Sequence, residues 1–266
     1  MENAVSCHRR SCINKASLTL LIIGMLILLS VPCAVLLFGW QWDPAKIPAT
    51  YLYPFALFSQ SANGVIAILF CAVLLWYLKL PLKKSLLLFI ILLVTTLAGL
   101  AIKSIAKEVT DAPRPYVVWL EKNGYIQEAD HFYDLPHKSA FVSQQDIPDE
   151  QVSEWQQEYW ASNTGYSFPS GHTLFAAQWA LTMLLLLWRK KAYLPITLTL
   201  LWAMGVEASR LILGMHWPSD LIMSCALAVV MVWIASLCWD RWIFTPPNSA
   251  NAPPPVTHPA IPTARI

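Results

Sequence analysis

Long apolar runs with few or no charges govern what this chain can become. Six of them occur, at residues 16–40, 47–78, 85–102, 173–188, 192 to about 213, and 221–239. The second holds Ser59, Gln60, Ser61 and Asn63, and the fifth carries Glu207 and Arg210 near its far end. Crossing a bilayer takes about 20 apolar residues. Lipid satisfies no backbone polar group, so such segments cross as helices. The pattern predicts an all-α integral membrane protein with six transmembrane helices. Composition agrees: 56% of residues are hydrophobic and 13% charged, against about 45–50% and about 25% in soluble domains. Disorder of the chain as a whole is excluded by the same figures. A net charge of +2 points to no nucleic acid, and nothing signals an obligate protein partner. The first run exceeds a signal-peptide core of about 7–15 residues and reads as a span.

Basic residues alternate in side. Arg9, Arg10 and Lys15 precede the first span, Lys79, Lys83 and Lys84 separate the second and third, Arg189, Lys190 and Lys191 separate the fourth and fifth, and Arg241 follows the sixth. The positive-inside rule places these, and both termini, in the cytoplasm. The expected organisation is a cytoplasmic tail (1–15), a six-helix membrane domain (16–245) with an outer segment (107–171) inserted between helices three and four, and a cytoplasmic tail (246–266) with seven prolines, extended or disordered. The outer segment has eleven acidic residues against four basic ones. Val152, Trp155 and Tyr159, at i, i+3 and i+7, predict an amphipathic helix over 148–161 that packs on the rim of the membrane domain. None of the six cysteines lies in the outer segment, so no disulfide framework is implied there.

Polar groups gather where spans meet the outer face, and charge there is costly without partners or a task. Lys107, Arg114 and Pro115 follow span three. Pro169-Ser170-Gly171-His172 opens span four. Ser209-Arg210, Gly214, His216 and Asp220 lie between spans five and six. Topology alone puts all three on one surface. Arg114 and Arg210 suit bidentate phosphate binding and Lys107 adds a point charge. Ser170 and Gly171 begin a helix whose free N–H groups favour an anion. This describes a phosphate site. His216 and Asp220, four apart, share a helical face. The carboxylate can hold one ring N–H and leave the other nitrogen as nucleophile. His172 is the candidate proton donor to the leaving oxygen. Two histidines and an aspartate could also form a zinc set, but three cations would repel the ion.

Lys-x6-Arg-Pro, Pro-Ser-Gly-His and Ser-Arg-x5-His-x3-Asp, in this order, resemble the three signatures of the type-2 phosphatidic acid phosphatase superfamily, with no motif position departing. The resemblance implies a metal-independent six-helix membrane phosphatase, without cofactor, that forms a phosphohistidine. His216 attacks, Asp220 orients it, and His172 protonates the departing group and then activates water. Lys107, Arg114, Ser170, Gly171 and Arg210 hold the phosphoryl oxygens. Substrates of the resembling enzymes are lipid phosphates: phosphatidylglycerophosphate, phosphatidate, lysophosphatidate, diacylglycerol pyrophosphate and undecaprenyl pyrophosphate. The implied setting is a bacterial inner membrane, with the site facing the periplasm.

Rival expectations are a lipid-phosphate phosphotransferase and a lipid transporter or flippase. Intramembrane charge often marks a transport route, but here it collects at one surface. Blander roles are expected around the cluster. Glu207, one turn before Arg210, should pair with it. Ser209 should make a local hydrogen bond. Lys103 should snorkel to the interface, and Trp217 could line the site.

Overall fold

A computed structural model describes residues 2–244; their regular elements are all helices, with no strand among the described residues. The Pro-rich tail and the side chains of Cys7, Arg9, Arg10 and Cys12 lie outside what is described. Helix α1 spans Glu2–Leu37, α2 Ala49–Ser61, α3 Gly64–Leu78 and α4 Leu82–Thr110. Four short helices follow: α5 Pro115–Lys122, α6 Ala129–Asp134, α7 Lys138–Ser143 and α8 Glu154–Ala161. Then come α9 Gly171–Trp188, α10 Tyr193–Ile212 and α11 Pro218–Trp239, which runs into a π turn at Asp240–Phe244.

Among the described residues, four helical stretches are long and apolar enough to cross a membrane: Lys15–Leu37, the one beginning at Leu82, Gly171–Trp188 and Pro218–Phe244. A fifth is added if α2 and α3 count as one broken span. The expected single span over 47–78 is therefore two helices, bent by 62°. The cause is local. Asn63 is extended, and its side chain accepts from Val65 N at 2.9 Å and Ile66 N at 3.3 Å. That is an N-cap, which starts a new helix and ends the old one. Helix α10, with Glu207 and Arg210 inside it, is not among these stretches.

Helix α9 is the hub. It packs against α1, α3, α4, α10 and α11, and every residue from Ala176 to Leu187 is buried. Its neighbours come close through small residues, as membrane helices do. A Cβ on Gly24 of α1 would sit 2.6 Å from Leu181, and one on Gly99 of α4 would sit 2.8 Å from Gln178. The periphery is apolar and exposed: Leu82 is 85% and Trp76 76% accessible. Such a surface is stable only against hydrocarbon.

The segment between α4 and α9 builds its own core at one end of the bundle. Tyr116, Phe132, Val142 and Trp160 are buried there with Leu213 and Met215 from the turn after α10. Tyr116 and Trp160 stack at 5.1 Å. The amphipathic helix expected over 148–161 begins only at Glu154, because Pro148–Gln151 closes a turn (Gln151 N to Pro148 O, 2.8 Å). At the opposite end of the bundle Arg189 pairs with Asp240 at 2.5 Å and lies over Phe244, while Lys84 donates to Ile243 O at 2.5 Å.

Candidate active site

All three polar segments converge under the 111–170 subdomain. Helix α4 stops at Asp111, in a left-handed conformation (φ 42°), and Pro113 follows. Lys107, in its last turn, donates to Tyr166 O. Arg114 caps α5 ahead of Pro115, which suits a first helical position. Its guanidinium is buried and donates to Gly165 O (2.5 Å), Met215 O (3.1 Å) and Tyr166 O (3.5 Å). Its backbone N–H reaches Tyr133 Oη at 3.0 Å. One arginine thus ties the α4–α5 turn, the approach to α9 and the turn before α11.

Ser170 caps α9, its Oγ accepting from Thr173 N at 3.3 Å. Its carbonyl accepts from Ser224 of α11 at 3.0 Å, which pins the two helix starts together. The Lys103 stem packs on Gly171: a Cβ there would lie 2.6 Å from Lys103 Cδ and would displace that side chain. Lys103 therefore lays its stem over the start of α9 rather than only reaching for the interface. His172 borders a cavity of about 420 Å³ with Lys103, Asn63, Phe175 and Trp179. Arg210, Arg114, Lys103 and Lys107 are the cations whose field reaches its ring.

The turn after α10 carries the second histidine. Gly214 adopts φ +69° with the Trp42 ring against it, so a side chain there is excluded twice over. Arg210 O accepts from both Met215 N (3.0 Å) and His216 N (3.1 Å). His216 Nδ1 lies 3.2 Å from Asp220 Oδ2, and both side chains are 2% exposed. Asp220 Oδ2 also accepts from Trp217 N at 2.9 Å, which fixes the carboxylate. With the proton on Nδ1, Nε2 of His216 carries the free lone pair. Burial first, and then the Arg114, Arg210 and Lys107 charges, hold the His216 pKa well below the ordinary imidazole value. Both effects favour the neutral ring. It borders a second cavity, of about 290 Å³, with Trp42, Trp119, Lys122 and Trp217.

Arg210 is fully buried; its NH1 donates to Ser59 Oγ and, at 2.6 Å, to Tyr159 Oη. Glu207 does not pair with it. Arg210 extends toward α2 and α8, and Glu207 Oε1 instead accepts from Cys225 Sγ at 3.1 Å; among the described residues no ion pair joins the two. Ser209 makes the expected local bond, to Val206 O at 2.6 Å. Trp217 donates to Pro113 O at 2.8 Å and walls the His216 cavity. Sequence reasoning passed over Ser59, Tyr159 and Tyr166. Ser59 and Tyr159 were visible only as a polar residue inside an apolar run and one position of an amphipathic stripe.

The arrangement offers three cations, a capped helix start, a carboxylate-oriented imidazole and a second imidazole beside an apolar cavity. Such a set can hold a phosphoryl group and attack it. Comparison with known proteins gives the same direction. The PAP2 superfamily matches residues 87–244. Phosphatidylglycerophosphatase B of Escherichia coli K12 is 36% identical over 241 residues, covering 86% of this chain and 92% of that protein. Phosphatidylglycerophosphatase B of Haemophilus influenzae is 29% identical over 214 residues, covering 76% and 88%.

Proposed function

The chain belongs to the PAP2 superfamily, and from that premise we propose that it is a membrane lipid phosphatase working through a phosphohistidine on His216. The observation that carries this is the oriented pair, His216 Nδ1 at 3.2 Å from Asp220, set among three cations drawn from distant parts of the chain. Nε2 of His216 attacks phosphorus. The P–O bond to the lipid breaks, and His172 gives its proton to the departing oxygen. His172 then takes a proton from water, the hydroxide attacks phosphorus, and phosphate leaves His216. Lys107, Arg114, Arg210 and the N–H groups at Ser170–Gly171 carry the phosphoryl charge, which is the main demand of this transition state.

The substrates are lipid phosphates and pyrophosphates, phosphatidylglycerophosphate first among them given the E. coli and H. influenzae relatives. The cavity of about 420 Å³ beside His172 is predominantly apolar-lined. It suits a tail that stays in hydrocarbon while the headgroup meets the cations. No metal enters this chemistry. Detergent-solubilised protein should release inorganic phosphate from phosphatidylglycerophosphate at an unchanged rate with excess chelator. Loss of activity on chelation, restored by a divalent ion, would overturn the metal-free reaction.

The proposed topology has six spans, with α10 as the fifth, both termini in the cytoplasm and the site facing the periplasm of a bacterial inner membrane. The 1–15 and 246–266 segments are then cytoplasmic tails of a 16–245 membrane domain. Support comes from the bundle ends. Lys84 and Arg189 meet the end of α11, while the site lies at its start. A membrane-impermeant maleimide applied to intact cells should label Ser139→Cys and spare Lys190→Cys, both at exposed positions. The reverse pattern would invert the orientation.

A further inference from the structure

Arg210 is the one cation of the site held wholly by side chains. Its NH1 meets two neutral oxygens, Ser59 Oγ from α2 and Tyr159 Oη from α8, and Tyr159 in turn donates to Ser59 at 2.9 Å. These three atoms form a closed ring. Nε has no partner among the described residues, although it is buried. A carboxylate in place of either oxygen would hold the guanidinium equally well but would cancel its charge. Glu207, one turn away, is turned to Cys225. Burial makes the distinction large, since a charge in a poorly polarisable setting is felt strongly by whatever anion arrives.

Both holders are themselves fixed. Helix α2 is pressed onto α10, where a Cβ on Gly205 would come within 2.8 Å of Phe58, and Trp202 of α10 donates to Ser61 Oγ at 2.8 Å. Helix α8 is anchored by Trp160 Nε1, which donates to Leu213 O at 3.3 Å, and by the edge-on contact of Trp155 with Tyr53. We propose that Tyr159 and Ser59 are positioning residues that aim the Arg210 guanidinium at the phosphoryl group while leaving its charge unneutralised. The 111–170 subdomain thereby contributes to phosphate binding through Tyr159 and is more than a cover over the bundle. This assignment rests on the lipid-phosphatase function proposed above.

The test uses the full chain in detergent, with phosphatidate as substrate and vanadate as a mimic of the transferring phosphoryl group. Tyr159→Phe and Ser59→Ala should each lower kcat/KM about tenfold, the range for a lost hydrogen bond to a charged group. The vanadate inhibition constant should rise in step and the melting midpoint stay near the parent's. Ser59→Thr, which keeps a hydroxyl, should recover most of the Ser59→Ala loss. Two results overturn the positioning role alone: an active, vanadate-sensitive parent whose Tyr159→Phe and Ser59→Ala variants match it within twofold, or a Ser59→Thr loss equal to that of Ser59→Ala. A parent that neither releases phosphate nor binds vanadate would instead defeat the lipid-phosphatase function, and the positioning role with it.

Discussion

His216→Ala is expected to abolish turnover of lipid phosphates, with kcat falling more than about a thousandfold, and to leave no acid-labile phosphoenzyme after a brief exposure to ³²P-labelled substrate. The expectation follows from what each neighbour of His216 does. Asp220 Oδ2 sits at 3.2 Å from Nδ1 and also accepts from Trp217 N at 2.9 Å, which fixes the carboxylate. The ring is therefore held in one tautomer, with Nε2 free. No residue nearby can replace that lone pair. His172 stands at the start of another helix and lacks a carboxylate partner among the described ion pairs. Alanine leaves the cations in place, so substrate binding should survive within a few-fold while chemistry is lost. A variant that kept more than a tenth of the parent's kcat would exclude His216 as nucleophile.

The gathering of the polar segments was more legible in the sequence than the helices that carry them. Hydropathy and the alternation of basic residues brought Lys107, Arg114, His172, Arg210, His216 and Asp220 to one end of a helical bundle, where charge near hydrocarbon is costly without partners or a task. The i, i+4 spacing of His216 and Asp220 sufficed to expect their contact. What escaped depended on tertiary geometry. The break at Asn63 looked like four polar residues in an apolar run, and only the capping geometry turns them into two helices. Glu207 was expected on Arg210 because residues three apart share a helical face. Arg210, however, has a long side chain, and Ser59 and Tyr159 offered it acceptors from two other elements. Tyr159 lies roughly fifty residues before Arg210 in the chain, and Ser59 about one hundred and fifty, so no spacing rule could join them.

His172→Ala separates the two chemical steps, and its expected result depends on the leaving group. On a lipid phosphate the departing alkoxide needs a proton, and loss of a general acid costs about 10²–10⁴-fold. On p-nitrophenyl phosphate the phenolate leaves unaided, so phosphorylation of His216 should proceed nearly as in the parent. Water still has to be activated afterwards, and the residue that would do so is gone. The variant should therefore show a burst of about one nitrophenolate per chain, then slow turnover, with an acid-labile phosphoenzyme accumulating. That separation is the signature of one histidine attacking and the other moving protons. It fits their surroundings: His216 is enclosed with its carboxylate, while His172 borders the cavity where the lipid oxygen would depart. The opposite outcome, a phosphoenzyme retained in His216→Ala and absent in His172→Ala, would exchange the two roles and leave the Asp220 contact without a catalytic meaning.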